Sequence, residues 1–393
     1  MAAKQGYFAG LSRNSFLLAV ASLFADISSE MLYPILPVFL TQTLKAGGSI
    51  LGLVEGLAEA AQNIIQGFSG ALSDRLQRRK PVALVGYALA AIGKPLIGFA
   101  ASWPGALGGR LLDRLGAGSR SAPRDALIAA SVDAADRGKA FGLEGFGDNA
   151  GAFLGPLLAV ALLTLWHFDM RWIFYLAVVP GLLALLMVLM VSERPVATRA
   201  KQRLDGAAPR FPEGFRTYLL TTAAFGIGNS TNAFLILQTR QLGAALETTI
   251  LIYAAYNLIA ALVSYPAGLI SDRIGRRNVL LLALAIFAAV YLGFGLSGQI
   301  LVIAILFGLY GIYQGLFRTA GKALASDLAP EPLRATGIGW YSATVGLSTL
   351  VASLIAGLLW DHVSHAAVFL YGAAFAVIGG IMLFLLVPAR PNS

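Results

Sequence analysis

The stretch GALSDRLQRRK, Gly70 to Lys80, sets five charges among the seven residues from Asp74 to Lys80, between two long apolar runs. The chain as a whole is only 12% charged, so charge is concentrated here rather than scattered. A near copy, GLISDRIGRRN, stands 198 residues later at Gly268 to Asn278, again between apolar runs. A charged loop that recurs between apolar segments at a fixed distance points to a chain made of two like halves.

The 393 residues are 57% hydrophobic, with a mean hydropathy of +0.73. Soluble domains run at roughly 45–50% apolar and 25% charged. Twelve spans of about 20 residues would use ~240 residues, close to the apolar content, so the chain reads as a polytopic membrane protein. Met1 to Arg13 is short and polar, and the apolar run from Ser15 is long enough to span, so no cleavable signal peptide is expected. The lack of cysteine excludes disulfides, thiolate metal sites and cysteine nucleophiles. The net charge of +9 sits mostly in short loops, which assigns it to membrane topology rather than to nucleic acid. Arginine outnumbers lysine 22 to 7, in keeping with a GC-rich bacterium and its cytoplasmic (inner) membrane.

Twelve apolar stretches stand at roughly 15–40, 49–72, 81–102, 105–130, 140–166, 171–191, 215–238, 248–271, 278–297, 299–325, 335–360 and 366–388. The fourth is dense in charge, but topology requires it. With a cytoplasmic N-terminus, 23 of the 29 Lys and Arg fall on inner segments. Lys45, Lys94, Arg171 and Arg240 fall on or near the outside, and Arg110 and Arg114 lie within the fourth span. That bias holds only if helix four exists and both termini are cytoplasmic. The polar stretch from Ser192 to Arg216 divides the chain into an N-terminal six-helix bundle (1–191), a cytoplasmic linker (192–214) and a C-terminal six-helix bundle (215–393). Two further pairs repeat the internal spacing: RSAPR at Arg120 with RTAGK at Arg318, and RGKAFG at Arg137 with RATGIG at Arg334. The expected fold is therefore an all-α integral membrane protein of 12 helices in two pseudo-symmetric halves, related as parallel repeats about a central site.

Along its whole length the chain resembles a major facilitator superfamily transporter. Gly70 to Lys80 resembles that family's inner loop signature after helix two, and Gly268 to Asn278 is its second-half counterpart, with Gln77 where Gly275 keeps the usual glycine. The resemblance implies a cytoplasmic gate involving Gly70, Asp74, Arg75 and Arg78, with Asp272, Arg273 and Arg276 in the second copy. Arg78, Arg79 and Lys80 also read as plain topology anchors. The repeat spacing adds Arg120, Arg124 and Asp125 and their counterparts Arg318 and Lys322, either as an inner latch or as a cradle for an anion.

Ionisable groups within spans are costly and mark function by default. At 100° per residue, Ser22, Asp26, Glu30, Tyr33 and Pro37 share one stripe of span one, and Glu55, Glu59, Gln62 and Gln66 one stripe of span two. In span four, Arg110, Asp113, Arg114, Arg120, Arg124 and Asp125 share one face, the wall of a polar cavity or a set of buried pairs that fix packing. RLGAG at Arg114 resembles the fourth-helix motif of proton-coupled members, although Ala117 stands where the family is polar. In span five, Gly142, Gly151, Gly155 and Pro156 resemble the motif of exporters and antiporters, with Leu158 and Ala159 replacing its last two glycines. Gly147, Gly151 and Gly155 also form a small-residue ridge that admits another helix closely.

Spans seven to twelve hold no acid well inside a helix. The proton-coupling candidates are Asp26, Glu30, Glu59, Asp113, Arg114, Glu144 and Asp148, since a carboxyl in a low-dielectric site can cycle between protonated and ionised forms. The substrate-cavity candidates are Tyr33 and Arg110, with Asn229, Asn232, Tyr256, Asn257, Tyr310, Tyr313, Gln314 and Trp340 as an aromatic and amide wall. The leading expectation is a secondary active transporter: a proton-coupled exporter (antiporter) of a small amphiphilic or organic solute, resembling drug and metabolite exporters and working as a monomer by alternating access. Its partners are a small-molecule substrate, protons and the bilayer, with no nucleic acid. No cofactor beyond the proton gradient is expected. Uptake or exchange of an anionic metabolite is the alternative. Metal export is weaker, since His167, His362 and His365 all lie near the outer face and no metal site is expected. No nucleophile–base pair or phosphate loop supports an enzyme, and a receptor has no need of two gate loops.

Overall fold

The computed structural model describes residues 10–76, 78–133, 136–193, 211–330 and 333–387, and these are helical, with no strand among them. Helices fall on all twelve expected stretches. They are α1 (Arg13–Glu30), α2 (Leu36–Val38) running into a π-helical stretch (Phe39–Thr43), α3 (Gly48–Leu76), α4 (Arg79–Phe99), α5 (Trp103–Ser131) and α6 (Arg137–Thr164). There follow α7 (Met170–Leu176), α8 (Val178–Leu189), α9 (Glu213–Gly226), α10 (Ala233–Gln241), α11 (Leu246–Ile274) and α12 (Arg276–Leu296). The last three are α13 (Ile300–Leu328), α14 (Arg334–His362) and α15 (His365–Leu386). Eight described helical stretches, with α7 and α8 counted as one, are long and apolar enough to cross a membrane. Phe99, Leu165, Leu296, Leu301 and Leu385 are largely exposed, as a lipid-facing surface requires.

Spans one and seven, expected as continuous helices, are broken. After α1 the chain turns through Met31–Ile35; Pro34 and Pro37 lack the N–H groups that would bond the Glu30 and Tyr33 carbonyls. Between α9 and α10 the interruption is Ile227–Asn232, where the run GNSTN supplies glycine and short polar side chains that prefer turns. The breaks begin at Met31 and Ile227, 196 residues apart, so they occupy matching places in the two repeats. Span six is divided at Ala177, ahead of Pro180.

The chain forms two compact units, one of residues 1–33, 65–100 and 104–197 and the other of 34–64, 101–103 and 198–393. In the first unit α1 packs on α6 and α8, and α4 on α7 and α8. Leu18, Ala21, Ala25, Tyr87, Ile128, Ala184 and Val188 form its apolar core. Two helix pairs meet backbone to backbone. A Cβ on Gly151 of α6 would lie 2.5 Å from the Leu23 carbonyl of α1, and one on Gly116 of α5 2.5 Å from the Gly86 carbonyl of α4. In the second unit α12 packs on α13 and α15, and Phe225, Phe287, Tyr291, Phe294 and Phe369 interlock at the centre.

The α4–α5 contact leaves no room for a side chain at Gly116. Gly116→Val is expected to destabilise the protein by about 1–3 kcal/mol through overpacking, seen as a lower melting temperature in detergent. Gly142→Ala, whose Cβ meets nothing within 4 Å, should melt like the parent.

Candidate functional site

The glycine ridge of α6 fixes the register of α1, and that register gathers charge. Gly147, Gly151 and Gly155 lie against the Ala19, Leu23 and Ile27 carbonyls, so Asp26 and Glu30 of α1 fall beside Gly151 and Gly155. One and two turns earlier on α6 stand Asp148 and Glu144. Ser22 donates to Glu144 Oε1 at 2.9 Å. Arg124 of α5 reaches the same group: its Nη1 lies 2.9 Å from Glu144 Oε1 and 3.9 Å from Asp148 Oδ1, and donates to Ser22 Oγ at 3.0 Å. Its Nε and Nη2 both donate to Asp125 Oδ1, at 3.0 and 2.9 Å. Four residues earlier Arg120, buried, lies 3.7 Å from Asp26 Oδ1 and 4.7 Å over the Tyr87 ring. Four carboxyl groups thus share two guanidiniums.

A second cluster in the same unit inverts the ratio. Asp113 is fully buried; its Oδ2 accepts from Arg110 at 3.3 Å and Arg114 at 3.1 Å, and its Oδ1 lies 3.4 Å from Lys94 Nζ. Arg110 lies 5.4 Å over the buried Tyr33 ring, at the break of span one. Lys94, expected on or near the outside, stands five residues before the end of α4 and is 2% exposed, its ammonium turned to Asp113 of α5. Its signal was a lone cation in an apolar span beside Pro95; nearness to a helix end does not say which neighbouring helix a side chain meets. The charged face of α5 is therefore divided between a cluster rich in acid and a cluster rich in base.

The second unit carries an uncharged network at the break of span seven. Asn232 donates to Tyr256 Oη at 3.2 Å and accepts from Tyr310 Oη at 2.8 Å, and Asn229 donates to Tyr313 Oη at 3.2 Å. Tyr256, Tyr310 and Tyr313 are buried against one another, with Phe287 and Phe225 behind. Asn257 and Gln314 are half-buried, whereas Trp340 is 56% exposed and outside the network. Glu59 is half-buried on α3 and Pro156 buried within α6.

At the loop motifs, Gly70, Asp74, Arg75, Gln77 and Asp272 lie outside the described side chains, so those gate residues have no described partners here. The basic residues beside them cap helices. Lys80 Nζ donates to the Leu189 and Val191 carbonyls at 2.7 and 2.8 Å, and Arg277 Nη1 to the Val387 carbonyl at 2.8 Å, the matching helix end of the other repeat. Arg79 and Lys80 N–H groups donate to Glu193 at 2.6 and 3.1 Å. Gly275 links α11 and α12 at φ +89°, a left-handed conformation that favours glycine. Arg276 pairs with Asp327, while Arg78, Arg273, Arg318 and Lys322 are exposed, unlike Arg120 and the half-buried Arg124. Among the described residues no three His or acidic side chains gather as metal ligands.

Removing the carboxylate of Asp113 leaves buried cations without it. Asp113→Asn is expected to cost about 3–5 kcal/mol, measured as a lower melting temperature and a lower yield of inserted protein. Arg78→Gln, at an exposed position, should leave both unchanged.

The family model described as Major Facilitator Superfamily matches residues 18–237 and 217–393. The chain is 37% identical over 383 residues to an uncharacterized MFS-type transporter of Methanocaldococcus jannaschii, covering 96% of this chain and 95% of that one. It is 30% identical over 342 residues to a probable 4-methylmuconolactone transporter of Cupriavidus pinatubonensis, covering 80% and 77%. The crystal structure of a POT family transporter in complex with 5-aminolevulinic acid superposes with a TM-score of 0.82, at 13% identity and 98% coverage of both chains. Twelve helical stretches in two repeats, matching loop motifs and these likenesses lead to one assignment: the chain belongs to the Major Facilitator Superfamily and is a membrane transporter, not an enzyme.

Proposed function

We propose that this transporter is a proton-coupled exporter, an antiporter that moves a small organic solute out across a bacterial inner membrane by alternating access. The observation that carries the reading is the cluster of Asp26, Asp125, Glu144 and Asp148 around Arg120 and Arg124. Two guanidiniums, which keep their protons, balance two of the four carboxyls. The surplus acid is a place to hold and exchange protons within a low-dielectric helix bundle. Asp26 and Glu144 take the proton-carrying role, Arg120 and Arg124 position them, and Glu30, Glu59 and Asp148 are the next candidates. The amide–tyrosine network at Asn229, Asn232, Tyr256, Tyr310 and Tyr313 supports a solute bound by aromatic contact and hydrogen bonds rather than by charge. The likeness of the Gly142–Pro156 stretch to exporters supports the outward direction.

A second reading, uptake or exchange of an anionic solute, draws on Lys94, Arg110 and Arg114 converging on one carboxylate, a set to which a solute carboxylate is suited.

The experiment starts with thermal stabilisation of purified protein by a panel of organic cations, anions and neutral lipophiles, then follows flux of the stabilising solute in proteoliposomes under an imposed pH gradient. Asp26→Asn and Glu144→Gln should each lose accumulation against the gradient, by roughly tenfold or more, while keeping downhill exchange. If both still concentrate the solute like the parent, coupling lies elsewhere. Stabilisation by anions alone, lost in Lys94→Met, would turn the assignment to the second reading.

A further inference from the structure

In the second unit a close seam joins the first part of α3 to α14. The two helices run antiparallel, with glycines of each against the backbone or side chains of the other. Gly52 lies against the Ser353 carbonyl; a Cβ on Gly48 would meet Trp360 at 2.7 Å, one on Gly357 the Gly48 carbonyl at 2.5 Å, and one on Gly346 Asn63 at 2.7 Å. From Gly48 to Asn63 that is about 22 Å of helix, brought together by glycines at every fourth position, Gly48, Gly52 and Gly56.

One charged group closes the end of the seam. Asp361, in the last turn of α14, accepts the Gly48 N–H on Oδ1 at 2.7 Å and the Ser49 N–H on Oδ2 at 2.8 Å, together with the Ser49 hydroxyl. The first amides of a helix have no partner within it and carry partial positive charge, so a carboxylate there makes strong, charge-assisted bonds. With cytoplasmic termini this end of α3 and α14 faces outside.

The closed seam also leaves polar atoms unsatisfied on the helix beside it. The Thr231 N–H donates to Ser353 Oγ at 3.2 Å, and Phe234 packs on Trp360. The Thr231 hydroxyl, in the break ahead of α10, and the Gln238 side-chain oxygen, about two turns further on in α10, are buried with no hydrogen bond. Buried polar groups in a permanent contact are nearly always satisfied; these two would be satisfied by water once the seam parts. A contact fastened by one carboxylate at its mouth, with polar groups waiting for water behind it, is suited to opening and closing.

We propose that Asp361 is a gating residue of the transport cycle: its carboxylate on the N-terminus of α3 holds the α3–α14 seam shut, and loss of that cap opens this end of the second unit. The proposal goes beyond the coupling reading, and its test uses neither solute nor pH gradient, so the two fail separately.

Because the chain has no cysteine, a single Ser353→Cys reports on the seam, where Ser353 is fully buried. The probe is a membrane-impermeant sulfonated maleimide applied to right-side-out and to inverted membrane vesicles. Asp361→Asn should raise the labelling rate of Ser353→Cys from the outer side roughly tenfold or more, the size expected for charge-assisted bonds. Asp361→Glu, which keeps the charge, should restore slow labelling at least in part. A control cysteine at Ala283, buried in α12, should stay unlabelled. Unchanged labelling at Ser353→Cys, a rise only from the cytoplasmic side, or an equal rise at Ala283→Cys overturns the proposal, the last by making Asp361 a general stability residue. Should Asp361→Asn fail to insert, Ser49→Ala removes one donor of the cap and carries the same test. A smaller outer-side rise supports the gate, and none overturns it.

Discussion

Arg124 is the contact on which the charged half of this transporter depends. A guanidinium cannot shed its proton, so within a helix bundle it must be surrounded by acceptors. It lies 2.9 Å from both Asp125 and Glu144 and donates to Ser22 at 3.0 Å. That ties α1, α5 and α6 at one point. The geometry is possible because glycines on α6 let α1 lie on its backbone, which sets the register of the acids. A side chain at Gly151 would displace the helix and with it the alignment of Asp26.

The protein separates its chemistry. The first unit holds ionised groups, sorted into an acid-rich cluster at Arg120 and Arg124 and a base-rich cluster at Asp113. The second unit holds, at the break of span seven, tyrosines and amides that satisfy one another without net charge, and it also buries Glu55 of α3. Both repeats break their first helix at the same place, Met31–Ile35 and Ile227–Asn232, where one break carries Tyr33 under Arg110 and the other carries Asn229 and Asn232. Broken helices at matching positions free backbone groups where a cavity can use them.

The loop motif that marks the repeat has two kinds of residue in it. Of the basic residues after the Asp-Arg, Lys80 binds the carbonyl end of α8 and Arg277 that of α15, and so each anchors the last helix of its half, while Arg79 donates to the Ala126 carbonyl of α5. Topology and helix capping account for those cations without a moving part. Lysine or arginine at such an end satisfies carbonyls that have no helical partner and favours the negative end of the helix dipole.

The sequence by itself determined the membrane class, the twelve helical stretches, the internal duplication and the family, because hydropathy, loop charge and repeated motifs are local properties. It also marked Asp26, Asp113, Arg120, Arg124, Glu144 and the α6 ridge, since a charge or a run of glycines in an apolar span stands out wherever it points. The tertiary structure alone decided which charge meets which. Lys94, expected on or near the outside, is buried on Asp113, and Asp361 in the last turn of α14 caps α3, 313 residues away from Gly48 in the chain. Trp340, grouped with the tyrosines by composition, is exposed. The physical reason is that ion pairs and helix seams join residues far apart in sequence. One helix's periodicity gives the direction of a side chain but not the identity of the helix it faces.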